Sequence, residues 1–223
     1  MAGEDAAIDV RAEARAAFLL RLRARGLRDV NVLRAIETVP REMFVPHHYA
    51  DLAMRDLALP IPCGQTMPEP FVAARIAEAA ALAPGDRVLE IGTGSGYVTA
   101  ILARLCATIV SIERFQTLAI AARERLAALG VSNAAVVWGD GFRVTPEIGR
   151  FDRIVVHAAL DQPPASLLET LAPAGAMLVG RRRSNDEGVA MMRLTRDGAG
   201  GWAAEPLFDC RLTALIPGLS ASL

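Results

Sequence analysis

The chain has little cysteine, no stretch suited to crossing a membrane and no surplus of positive charge. Its three cysteines, Cys63, Cys106 and Cys210, lie far apart and show no CxxC spacing. That argues against a zinc site and a disulfide framework, and fits a reducing, cytoplasmic compartment. No uncharged apolar run approaches the ~18–20 residues of a membrane span. Met1-Ala2-Gly3-Glu4-Asp5 lacks the basic-then-apolar order of a secretory signal. The formal net charge is -1, without the basic excess expected of a protein held to nucleic acid by phosphate contacts. Arg181-Arg182-Arg183 is a local exception and reads as a solvated strand end. His47 and His48 are adjacent, a spacing that does not put two ligands on one helix face, so no metal is expected.

What is present is an ample core. Hydrophobic residues make up 52% of 223, enough for one α/β domain with an N-terminal helical extension. Residues 6–25 pattern as a helix with Phe18, Leu19 and Leu22 on one face, ended by Gly26. A second helix fits Val30–Thr38, with Val32, Leu33 and Ile36 inward, before Pro40. Pro60, Pro62, Gly64, Pro68 and Pro70 then predict a loop, and a helix resumes over Phe71–Ala81. From Asp86 short apolar strands alternate with helical patterns. Strands fit Arg87–Ile91, Thr108–Ile112, Ala134–Trp138, Arg153–His157 and Ala176–Gly180. Helices fit Tyr97–Leu105, Thr117–Leu129 and Pro164–Leu171. This is the rhythm of a parallel sheet covered on both faces. Val189–Thr195 and Leu207–Leu215 flank a Gly-rich turn and predict an antiparallel hairpin closing the sheet edge. The division expected is 1–80 for the helical extension and an acceptor loop, and 81–223 for the sheet domain.

The strongest motif is Glu90-Ile91-Gly92-Thr93-Gly94-Ser95-Gly96-Tyr97, directly after a predicted strand and opening a helix. Glycines there let the backbone turn tightly and approach a ligand, and helix N–H groups face it. Glycines at 92, 94 and 96 followed by Tyr97 do not make the GxGxxG of a dinucleotide site, and GxxxxGK[ST] is absent. Glu90 before the loop is unwelcome beside a pyrophosphate but suits an α-ammonium group. Glu113 ends the next strand, where an acid commonly grips ribose hydroxyls. Asp140, in Gly139-Asp140-Gly141, ends the third and suits an adenine amino group. Together these describe a site for adenosine bearing an amino acid, namely S-adenosylmethionine (SAM), on a Rossmann-like methyltransferase fold. Trp138 and Phe115 both read as packing rather than an adenine clamp, though Phe115 follows Glu113 closely enough to flank the base.

Several segments then resemble the protein-L-isoaspartate O-methyltransferases, over about residues 30 to 217. They are Val39-Pro40-Arg41-Glu42-Met43-Phe44-Val45-Pro46, Leu59-Pro60-Ile61, Gly64-Gln65-Thr66, the glycine motif, Gly139-Asp140-Gly141 and Phe151–Ala159; Arg211–Leu215 resembles the closing strand. The resemblance implies protein repair. The free carboxylate of an L-isoaspartyl residue takes the methyl of SAM, and the ester then closes to a succinimide that hydrolyses partly to normal aspartate. A carboxylate is already ionised at neutral pH, so no strong base is required, and the residues form no obvious catalytic dyad. Gln65, Thr66 and Pro68 map to the family's catalytic loop, with Pro68 where the family has a functional serine. Proline has neither hydroxyl nor N–H, and Glu69 adds negative charge beside an anionic acceptor. His157 stands where the family commonly has threonine. It is expected, with Glu69 and Arg211, at the acceptor pocket, or else as an ordinary strand-end histidine. Two alternatives stay open: a paralogue methylating another carboxylate or small molecule, and a non-catalytic SAM-binding protein.

Overall fold

The computed structural model describes residue 13 and residues 15–183, 188–197 and 201–220. Helix α1 covers residues 15–24, and α2 spans Val30–Thr38. The expected start of α1 at residue 6 lies outside the described residues. Phe18, Leu22, Val32, Leu33 and Ile36 are buried as their spacing requires. Asp29 caps α2, its side chain accepting from the N–H groups of Asn31 and Val32.

The proline-rich stretch is not simply loop. It forms a hairpin of β1 (Leu59–Ile61) and β2 (Gln65–Met67). Its turn carries Cys63 and Gly64, both at φ 63. The prolines are tolerated because this ribbon is two-stranded and leaves outer N–H positions unpaired. Helix α3 follows over Pro70–Ala80, with Pro70 in its first turn.

The main sheet has seven strands. They are β3 (Arg87–Ile91), β4 (Thr108–Glu113), β5 (Ala134–Trp138), β6 (Phe151–Ala159), β7 (Leu171–Arg182), β8 (Val189–Arg196) and β9 (Trp202–Cys210), in the order β5-β4-β3-β6-β7-β8-β9. The first five are parallel, and β7, β8 and β9 form an antiparallel meander. Helices α4 (Tyr97–Ala103), α5 (Gln116–Ala128) and α6 (Ala165–Glu169) cross between parallel strands. The fold is the Rossmann-like α/β class expected, with the antiparallel edge.

Three strands depart from expectation, β6 by running two residues beyond Arg153–His157 at each end. β7 begins at Leu171 rather than Ala176, because Phe151 pairs with Leu171 and Arg153 with Ala176 across an irregularity. β9 lies at Trp202–Cys210 rather than Leu207–Leu215. It is an edge strand with exposed Ala203, Ala204 and Glu205, so it lacks the apolar signature of a covered strand. Pro206 is compatible with an edge. Arg211–Leu215, expected as the closing strand, is an extended segment beyond it that bridges Ala159 through Ala214.

One apolar cluster runs from Phe18 and Leu27 through Phe44, Met67 and Ile76 to Val88, Ile101 and Met191. The helical extension and one sheet face therefore share a core. The sequence has no lysine, so all 24 basic residues are arginines, and several close main-chain gaps. Arg153 Nε and Arg193 donate to the Ala80 and Ala79 carbonyls at the end of α3. Arg41 is 2% exposed and donates to the carbonyls of Ala53, Leu57 and Pro68 at 2.8–2.9 Å. Burial lowers its pKa to about 10, so it stays charged at neutral pH. It clamps the chain before β1 to the chain after β2. Arg41→Met should strand those carbonyls and cost on the order of 3 kcal/mol, read as a lower urea midpoint with an unchanged slope.

Candidate active site

Strands β3, β4 and β5 step one way across the sheet, and β6 and β7 step the other. The order reverses between β3 and β6, and ligands of open α/β sheets bind in the crevice outside the carboxyl ends at such a point. A cavity of about 260 Å³ occurs there. Its walls come from the glycine loop, the ends of β4 and β6, the β2 hairpin arm and the segment after β9.

Gly92 and Gly94 line the cavity at φ 93 and 56, a left-handed backbone that favours glycine. Gly96 does not line it. A Cβ there would lie 3.2 Å from the Ala122 Cβ, so Gly96 serves the close approach of α4 and α5. Glu113 lines the cavity from the end of β4, accepting from Gly94 N–H at 2.8 Å and Phe115 N–H at 3.0 Å. Burial raises its carboxyl above the ordinary range, against the pull of those backbone donors.

Glu90 is not at the surface of the cavity. It is 0% exposed. Oε2 accepts from the hydroxyls of Thr99 and Ser111, each at 2.5 Å, and Oε1 lies 2.9 Å from His157 Nε2. Thr93 in turn meets the Ser111 hydroxyl at 2.6 Å. The Glu90 side chain forms the floor beneath the glycine loop and does not line the cavity, whereas Thr93 does.

The Asp140-Gly141 pair divides. Gly141 lines the cavity. Asp140 lines an adjoining cleft of about 950 Å³ with Gly139, Phe142 and Gly218, and accepts from the N–H groups of Phe142 and Gly218. The chain end explains this: it crosses the crevice, with Gln116 N–H donating to the Ser220 carbonyl and Ser220 N–H to the Arg114 carbonyl. Trp138 packs as expected, its Nε1 donating to the Arg114 carbonyl, while Phe115 lines the cavity.

The same cavity brings Gln65, Thr66 and Pro68 together with Met67, and His157 lines it from β6, its Cβ 3.3 Å from where a Gly92 side chain would begin. Glu69 is outside this lining, at the start of α3, where its charge acts on Arg41. Arg211 is exposed and also outside, while Leu212–Ile216 take up that wall. The sequence reading missed Ile61, Ile91 and this tail. The short β1 strand hid the first, and a tail without regular structure leaves no periodicity to read.

The family model described as protein-L-isoaspartate(D-aspartate) O-methyltransferase (PCMT) matches residues 13–216. Protein-L-isoaspartate O-methyltransferase 2 of Rhodopseudomonas palustris (strain HaA2) is 46% identical, over 92% of this chain and 94% of that protein. Protein-L-isoaspartate O-methyltransferase of Bradyrhizobium sp. (strain BTAi1 / ATCC BAA-1182) is 48% identical over 92% and 95%. A Plasmodium falciparum structure under the same enzyme designation, in complex with S-adenosyl-L-homocysteine, matches with a TM-score of 0.78. It is 23% identical and covers 90% of this chain and 97% of that one, a likeness of fold.

Packing is tight at Gly141, which lines the cavity, and open at Gly85, in the turn before β3. A Cβ on Gly141 would sit 2.4 Å from Ile91 Cγ2, whereas one on Gly85 would meet nothing within 4 Å. Gly141→Ala should therefore cost about 1–3 kcal/mol and Gly85→Ala almost nothing, compared by thermal and urea unfolding.

Proposed function

The chain belongs to the protein-L-isoaspartate(D-aspartate) O-methyltransferase family, and we propose that it transfers the methyl group of SAM to the free carboxylate of L-isoaspartyl residues in damaged proteins. The observation that carries this reading is a single cavity whose lining joins two sets of residues, Gly92, Gly94 and Glu113 with Gln65, Thr66, Pro68 and His157.

The first set suits the cofactor. Glu113 accepts from main-chain N–H groups and has the chemistry to accept two ribose hydroxyls. Ile91, Ile112 and Phe115 give apolar surface beside it for the adenine, and Gly92 and Gly94 leave room for close approach. When bound, SAM supplies a methyl group activated by its sulfonium charge. The second set holds the acceptor. Its task is alignment and exclusion of water, because the nucleophile is already an anion. The Arg41 bond to the Pro68 carbonyl fixes the loop that forms this wall. The partner is a peptide or protein carrying an isoaspartyl residue. Free Cys63, Cys106 and Cys210 favour a cytoplasmic setting, and no helix among the described residues is long and apolar enough to cross a membrane.

Pro68 favours a second reading, in which a different carboxylate or a small molecule is the acceptor. It lines the cavity and offers no donor there. Transfer of labelled methyl from SAM to an isoaspartyl peptide, with the aspartyl peptide as control, separates the two. Selective labelling of the isoaspartyl peptide is expected. Intact SAM binding without labelling would overturn the repair reading and leave another acceptor or a non-catalytic binder.

The Glu113 contact gives a pH dependence. Gripping ribose hydroxyls requires the ionised carboxylate, and burial raises this carboxyl. Affinity for SAM should therefore fall on acidification, starting above the pH of about 4.3 at which a free glutamate titrates. Calorimetry from pH 8 downward should show that fall in the wild type beginning at a higher pH than a free glutamate would give. Glu113→Gln should bind at least about tenfold more weakly at pH 8 and lack that part of the slope.

A further inference from the structure

A wholly buried carboxylate is costly unless its lone pairs are taken up. Around Glu90 two of the three partners are neutral hydroxyls, Thr99 and Ser111, and the third is His157. The imidazole is thereby steered: Nε2 is committed to Glu90 Oε1 at 2.9 Å, leaving Nδ1 as the ring's other polar atom. The side chain is 12% exposed and lines the cavity. Its Cβ lies 3.3 Å from where a Gly92 side chain would begin, placing the ring at the junction of β3 and β6.

That junction is the acceptor side. The end of β4, with Ile112, Glu113 and Phe115, is given to the adenosyl portion, so the acceptor comes from the β6 side, beside the β2 arm and the tail. Few groups there carry positive charge. Pro68 has no N–H, and its carbonyl accepts from Arg41. Met67, Leu212, Ala214, Leu215 and Ile216 are apolar, and Gln65, Thr66 and Thr213 are neutral. Arg114, at the β4 end, has its Nε on the Gly218 carbonyl. The charged groups around the ring are Glu90 behind it and Glu113 and Arg114 from β4. His157 is the side chain on this wall that can carry positive charge.

We propose that His157, oriented by Glu90, binds the free carboxylate of the acceptor and makes the site prefer a carboxylate to its neutral amide. This rests on the isoaspartyl reading above. In its imidazolium form the ring donates Nδ1–H to one carboxylate oxygen, and the other oxygen is left to react. That oxygen forms its bond to the methyl carbon as the S–C bond breaks, with the electron pair staying on sulfur. His157 keeps its proton throughout, and Glu90 is a positioning residue that touches neither reactant.

The test compares an isoaspartyl peptide with the same peptide bearing an α-carboxamide in place of the free carboxylate. Binding is measured by calorimetry with S-adenosylhomocysteine present, and methylation of the carboxylate peptide is followed in parallel. The wild type should bind the carboxylate peptide about tenfold or more tightly than the amide. His157→Gln and His157→Asn should bring the two within about twofold and raise KM about tenfold or more, with a smaller change in kcat. Glu90→Gln, which keeps the volume, should move the ratio part of the way. An unchanged ratio in folded His157 variants would overturn the proposal, as would equal or undetectable binding of both peptides by the wild type. Should the wild type fail to methylate the isoaspartyl peptide, the functional reading falls, and the binding ratio still decides the role of His157.

Discussion

The structure turns on a carboxylate that cannot reach solvent. Glu90 is the penultimate residue of β3, the central strand of the parallel part, and its oxygens engage α4 through Thr99, β4 through Ser111 and β6 through His157. One side chain thus ties together the strand before the glycine loop, the helix after it and the strands on either side. The loop can carry Gly92 and Gly94 in left-handed conformations because its floor is fixed from below. Removing any one donor would leave part of a buried charge unsatisfied, which costs more than the bond itself contributes. The arrangement also couples the two sides of the cavity, since Ser111 precedes Glu113 by two residues on one strand and His157 stands on the other.

A second constraint comes from arginine. Without lysine, every fixed cation is a planar fork suited to two or more carbonyl acceptors. Arg41 uses that geometry inside the core, bonding carbonyls of Ala53, Leu57 and Pro68. Arg153 and Arg193 close the end of α3. A lysine ammonium could not span these acceptors, which lie in different segments of chain. Helix α3 is thus held to the sheet by more than apolar contact, and the hairpin is clamped to the chain before it.

Much of this was legible in the sequence, for identifiable reasons. Val30–Thr38, Arg87–Ile91 and Ala134–Trp138 have the expected bounds because a cap, proline, glycine or charge punctuates each one. The glycine motif and Glu113 announced the ligand crevice, since few other folds need those residues at the ends of consecutive strands. What failed to read depends on partners distant in sequence. The β1–β2 hairpin was masked by prolines that an isolated two-stranded ribbon tolerates. β9 was masked by the polar faces of an edge. The sequence also does not announce that Asp140 takes Gly218 N–H, nearly eighty residues later, as a partner. Glu90 was read as facing the ligand because the sequence does not say that Thr99, Ser111 and His157 converge on it.

Pro68 separates two functions that a loop residue can have. A serine at that position would offer a hydroxyl to the acceptor, a chemical contribution. The loop's location is a different matter, and here it depends on the backbone: the Pro68 carbonyl accepts from buried Arg41, and the flanking strand pairs Leu59 with Met67. Proline supplies a carbonyl as well as any residue does, and its fixed φ lowers the entropy of holding the loop. Proline at this position therefore keeps the wall in place while offering no donor from it. A donor lost from one wall of a cavity can be supplied from the facing one, provided the replacement is rigidly aimed. His157 meets that condition through its bond to a carboxylate whose other partners, Thr99 and Ser111, are fixed in α4 and β4. Methyl transfer to a carboxylate asks for little more, because the nucleophile arrives ionised and alignment is the main demand on the protein.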